Sequence, residues 1–199
     1  MTPFDYPKEE TARRHAPSGY PDSESYRPWI RDEFTFRCIY CLRRERWEPD
    51  LGVFEIDHLV PIGLSPELQS NYANLVYSCR TCNAAKGMLL LVDPRSALLA
   101  EHLIVESDGR ISPRSDPARH LVRLLDLNDP MYVTWRMRMI RIVALARIHD
   151  PALFRDLLGY PDELPDLSRL RPPGGNTRPE GIAESYFVRH QRGELPETY

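Results

Sequence analysis

The stretch Cys79-Arg80-Thr81-Cys82-Asn83-Ala84-Ala85-Lys86-Gly87 opens with the same C-x-x-C spacing as Cys38-Ile39-Tyr40-Cys41, and Ile56-Asp57-His58-Leu59-Val60-Pro61 lies between the two. These pairs hold all four cysteines of the 199-residue chain. A C-x-x-C turn presents two sulfurs from one knuckle, and two knuckles complete the tetrahedral thiolate shell that zinc takes. Such a closed shell has no position for water or substrate, so zinc at Cys38, Cys41, Cys79 and Cys82 is expected to be structural. It would staple the two ends of a long motif.

The staple encloses a different ligand chemistry. Asp57, His58, Asn74 and Asn83 lie between or beside the knuckles. Closing the knuckles brings the end of a first strand near the start of the helix after Cys82, so Asp57 and Asn83 can converge. Carboxylate and amide oxygens are hard ligands suited to Mg²⁺ or Mn²⁺, and two protein ligands leave room for water and phosphate. His58 is then free for proton chemistry, since an imidazole exchanges its proton near neutral pH. Adjacent residues of a regular strand point to opposite faces. A shared site for Asp57 and His58 therefore calls for a bend, which Pro61 and Gly63 make available.

Around this motif the chain divides by composition. Residues 1–28 carry Pro3, Pro7, Pro17, Pro21 and Pro28 among polar residues and read as a loosely ordered lead-in. Residues 29–93 form the core: a short helix or strand delivering Cys38, strands over 53–60 and 74–78, and a helix over 80–91 weakened in the middle by Gly87. Residues 94–160 read as a mainly helical extension, with a hairpin-like connection between Leu98 and Ile111 and helices over 118–125, 131–148 and 152–158. Residues 161–179 are rich in proline and glycine, and 182–190 suggest a last helix. The fold class is α+β.

The string from Cys38 to Gly87 resembles the HNH endonuclease family, with its zinc-stapled ββα-metal core, in the variant whose last signature position is asparagine. The resemblance covers residues 37 to about 90. It implies that His58 activates water, that Asp57 and Asn83 hold one divalent metal, Mg²⁺ or Mn²⁺, and that Asn74 fixes the loop. It further implies metal-assisted hydrolysis of a phosphodiester in DNA, with duplex DNA as substrate and Arg80 or Lys86 at a backbone phosphate.

The formal net charge is −3 and only two of the 26 basic residues, Lys8 and Lys86, are lysines, so nucleic-acid contact has to come from local patches. Arg136, Arg138, Arg141 and Arg147, in a run without acidic residues, and Arg43, Arg44 and Arg46 after the first knuckle are candidates, against the reading of a solvated basic face. No apolar run approaches a membrane span and no secretory signal opens the chain, which points to a cytoplasmic protein. Two rival readings stay open. In one, the nuclease is an effector subunit of an antiphage defence system that acts with a protein partner. In the other, the chain is a zinc module that binds nucleic acid or protein without cutting.

Overall fold

The computed structural model describes residues 2–10, 12–48 and 53–199. Strand β1 (Phe54–His58) pairs antiparallel with β2 (Leu75–Cys79), in a register that runs from Phe54↔Cys79 to His58↔Leu75. Every residue of β2 is buried: β1 pairs along its edge, and the helices Arg27–Glu33 and Arg80–Lys86 lie against it. From Cys79 the chain passes directly into helix α2 (Arg80–Lys86), which lies against both strands. The order of strand, long loop, strand and helix follows the sequence expectation.

Two details differ from that expectation. The helix read over 80–91 stops at Lys86, because Gly87 takes φ +51 and ends the hydrogen-bonded turns. The strand does not bend at Asp57 and His58: the ladder continues past both, with the Leu59 amide donating to Asn74 O at 2.8 Å.

Ahead of this unit, helix α1 (Arg27–Glu33) carries Pro28 in its first turn and buries Trp29 and Ile30. Thr35 and Phe36, both at φ 54, turn the chain into Cys38. Phe4 and Tyr6 lie in the core: Phe4 packs edge-on against Trp47 and Trp135, and the Tyr6 hydroxyl donates to Tyr40 O at 2.7 Å.

The remainder holds one hairpin and further helices, the longest of them Pro130–His149. Helix α3 (Pro94–Ala97) leads to β3 (Leu103–Val105) and β4 (Ile111–Pro113), followed by α4 (Asp116–Leu124), α5 (Pro130–His149) and α6 (Pro151–Leu158). Ser115, Asp129 and Asp150 cap the last three through side-chain oxygens, each with proline in the first turn of the helix it caps. The single helix read over 182–190 is two, α7 (Glu180–Ala183) and α8 (Tyr186–Gln191). One buried cluster runs from Phe4 through Trp29 and Tyr77 to Leu121 and Leu167, so the extension and the ββα unit share a core. Among the described residues no helix is long and apolar enough to cross a membrane.

Several arginines that read as a basic face serve this packing instead. Arg136 is 2% exposed, with Nε donating to Gly109 O at 2.7 Å and Nη2 to Leu127 O at 2.5 Å. Gly109 sits at φ +86 so close to α5 that a Cβ there would meet Val133 O at 2.2 Å. Arg44 is buried over the Tyr199 ring, and Arg46 ties the first knuckle to Asp156 and Asp162. Arg43 pairs with Glu48 and lies over Trp135. Arg138, Arg141 and Arg147 remain exposed on α5.

Candidate active site

The ligand atoms of Cys38, Cys41, Cys79 and Cys82 all lie within 4.8 Å of one another, and Cys41 Sγ is 3.7 Å from Cys79 Sγ. A tetrahedral zinc with bonds of about 2.3 Å needs sulfurs about 3.8 Å apart, so the cluster fits a structural metal such as zinc. The first knuckle is closed by Leu42 in a left-handed conformation, whose amide reaches Cys38 O at 3.0 Å. The second uses the end of β2 and the first turn of α2. Hydrogen bonds from the other thiols, Cys38 foremost, hold the Cys79 sulfur far below the usual thiol range, whereas burial pushes Cys38 up.

Between β1 and α2 the side chains meet in two rungs. In the outer rung, Asn83 Nδ2 donates to Glu55 Oε2 at 2.6 Å and Arg80 Nε donates to Glu55 Oε1 at 3.0 Å. In the inner rung, Lys86 Nζ lies 3.0 Å from Asp57 Oδ1 and donates to His58 O at 2.6 Å. The geometry follows from the two periodicities: Glu55 and Asp57 share a face of the strand at i, i+2, and Asn83 and Lys86 share a face of the helix at i, i+3.

Asp57 is 3% exposed and held from three sides. Besides Lys86, its own next amide donates to Oδ1 at 2.7 Å, and the Tyr40 hydroxyl donates to Oδ2 at 2.7 Å. Burial, with the Asp57 charge beside it, pushes the Tyr40 phenol well above the usual tyrosine range and keeps it the donor of this bond. Tyr40 sits between the two cysteines of the first knuckle, so one residue links the cysteine cluster to the carboxylate.

His58 leaves the strand toward the loop that follows it, and its Nε2 lies 2.9 Å from Gln69 O. A carbonyl only accepts, so Nε2 carries the proton and Nδ1 of the neutral ring keeps its lone pair. Among the described residues no group pairs with Nδ1. Asn74 clamps that loop: its Oδ1 accepts from Val60 N at 2.8 Å and its Nδ2 donates to Val60 O at 3.0 Å and Leu68 O at 3.3 Å.

Asp57 and Asn83 share no hydrogen bond but occupy neighbouring rungs. The donor set suits one hard divalent ion. With its nitrogen engaged by Glu55, Asn83 leaves Oδ1 without a partner among the described residues, and Asp57 Oδ2, with one donor, retains a second lone pair. Lys86, expected at a backbone phosphate, is instead 2% exposed beneath the site, while the Arg80 side chain is 65% exposed at its edge. Sequence reasoning passed over Glu55 and Tyr40. The available signal for Glu55 was its i, i+2 spacing from Asp57, which puts both carboxylates on the helix-facing side of β1.

The site thus sets a four-cysteine cluster beside a carboxylate and an amide between β1 and α2, with the His58 imidazole at the end of β1 turned to the loop that follows. The sequence model of the HNH endonuclease family matches residues 38–88, about a quarter of the chain, which thus carries an HNH domain. That domain indicates nuclease-type chemistry on a nucleic acid. No curated protein matches the chain.

Proposed function

We propose that the chain is a metal-dependent endonuclease that hydrolyses phosphodiester bonds in double-stranded DNA. The observation that carries this reading is the 2.9 Å contact between His58 Nε2 and Gln69 O, a pure acceptor, from which Nδ1 follows as the basic nitrogen of the ring. In this mechanism Nδ1 takes a proton from water, the hydroxide attacks phosphorus in line, and the bond to the 3′ oxygen breaks as that oxygen takes a proton from solvent, leaving a 3′ hydroxyl and a 5′ phosphate. Asn83 Oδ1 and Asp57 Oδ2 are the proposed holders of one Mg²⁺ or Mn²⁺, which when bound supplies positive charge to the phosphate. Tyr40 and Lys86 hold the Asp57 carboxylate in place, Asn74 keeps the loop that carries Gln69 in place, and Arg80 contacts a neighbouring phosphate.

The test is cleavage of supercoiled plasmid by the purified, zinc-loaded chain with Mg²⁺ or Mn²⁺, beside Asn83→Ala. Metal-dependent cutting that the variant lacks is the expected result; equal cutting by both defeats the site. A second reading, in which cutting requires a protein partner, is favoured by the exposed apolar row Ile142, Leu145 and Ile148 on α5.

A further inference from the structure

We infer that Glu55 is a positioning residue of the metal site, fixing the Asn83 amide so that its oxygen, and not its nitrogen, is presented to the ion. This rests on the reading of Asn83 as a metal ligand and adds a residue to it. An asparagine amide is nearly symmetric in shape, and only its hydrogen-bond partners decide which end faces a cation. Here the decision is made by a carboxylate, which cannot donate and so must meet the NH₂ end: Glu55 Oε2 takes Nδ2–H at 2.6 Å. The same arrangement, a carboxylate behind a metal ligand, orients ligands in many metal centres.

Glu55 is itself held. Its other oxygen takes Arg80 Nε at 3.0 Å, so one carboxylate joins two residues of α2 a single turn apart, Arg80 and Asn83. The strand fixes its direction, because the Glu55↔Ser78 pair lies inside the ladder with a further pair at each side. The Glu55 side chain is 34% exposed and Asp57 is nearly fully buried. The two acidic residues of β1 therefore divide the work: Asp57 is anchored by Lys86 and Tyr40, and Glu55 orients Asn83.

The experiment is a titration of the zinc-loaded full chain with Mn²⁺, followed by the loss of the free-ion electron paramagnetic resonance signal, for wild type, Asn83→Ala, Glu55→Ala, Glu55→Asp and Glu55→Gln. Thermal melting and zinc content verify that each variant is folded. Glu55→Ala and Glu55→Asp, the latter one methylene short of Asn83, are expected to weaken Mn²⁺ binding by about 10- to 100-fold. Glu55→Gln still offers an oxygen to Nδ2–H and is expected to lose about fivefold or less. Glu55→Gln as weak as Glu55→Ala overturns the positioning role, since the lost charge then touches the ion directly. Wild-type binding by Glu55→Ala alongside weakened Asn83→Ala overturns the inference and leaves the metal site standing. Unchanged binding by Asn83→Ala removes both.

Discussion

Replacing Lys86 by methionine tests the inner rung most sharply. The Lys86 and Asp57 side chains are 2% and 4% exposed, and Nζ lies 3.0 Å from Oδ1. At an effective dielectric constant of about 20, opposite unit charges at that distance attract by about 5–6 kcal/mol. Removing one partner of a buried pair typically costs about 3–5 kcal/mol, because the other charge is left without compensation. Methionine fills nearly the same volume, so a cavity adds little, but the His58 carbonyl also loses its donor. The expected loss is about 3–5 kcal/mol, which for a chain of this size lowers the melting temperature by roughly 6–20 °C. Guanidinium unfolding of the zinc-loaded protein measures it. The double variant Lys86→Met, Asp57→Asn closes the cycle and is expected to be more stable than the sum of the single losses by about 2 kcal/mol or more. A Lys86→Met chain within about 0.5 kcal/mol of wild type, the range of ordinary surface substitutions, refutes the buried pair.

Further outcomes follow from the same geometry. Tyr40→Phe removes one hydroxyl and with it a hydrogen bond to a charged acceptor, worth about 1.5–3 kcal/mol; it is expected to keep one zinc per chain by elemental analysis while weakening Mn²⁺ binding. Removing zinc with a chelator, or Cys79→Ser, is expected to abolish cooperative unfolding followed by circular dichroism, because folding and metal binding are one equilibrium at such a site. Asn74→Ala strips the Val60 amide and carbonyl of their partners and is expected to cost about 1–3 kcal/mol in denaturant unfolding. Burial pushes the Tyr199 phenol up to about 12. The folded chain thus keeps a proton that an unfolded tyrosine releases near about pH 10, so this contribution to stability is whole below about pH 10 and is lost as pH rises toward about 12. Melting curves of Tyr199→Phe should therefore fall less steeply than wild type over that range.

The parts of the fold that the sequence made legible are those written in local spacing. Paired cysteines, strand composition on either side of Pro61, and Asp129-Pro130 opening a long helix each act within a few residues. Partner choice is another matter. Lys86 follows Cys82 on a short helix and reads as a surface cation, yet one helical turn beyond Asn83 puts it under Asp57. Arg44, Arg46 and Arg136 read as phosphate contacts because composition counts charge; in the fold their planar, many-donor heads engage rings, carboxylates and carbonyl oxygens of the extension. Phe4 and Tyr6 sit among prolines and charges, and no periodicity announces that they pack on Trp47 and beneath Tyr40. At the site, the residues that could bear chemistry were visible by type, while those that orient them, Glu55 and Tyr40, depend on which strand face meets which helix face.

The most direct test of the account is the rate at which the zinc-loaded chain cuts supercoiled plasmid in Mg²⁺, compared with His58→Ala of equal zinc content and melting temperature. The account predicts cutting by the wild type that leaves 5′ phosphate ends, and loss of that cutting in His58→Ala with Mn²⁺ binding retained. A folded His58→Ala chain that cuts as fast as wild type contradicts it.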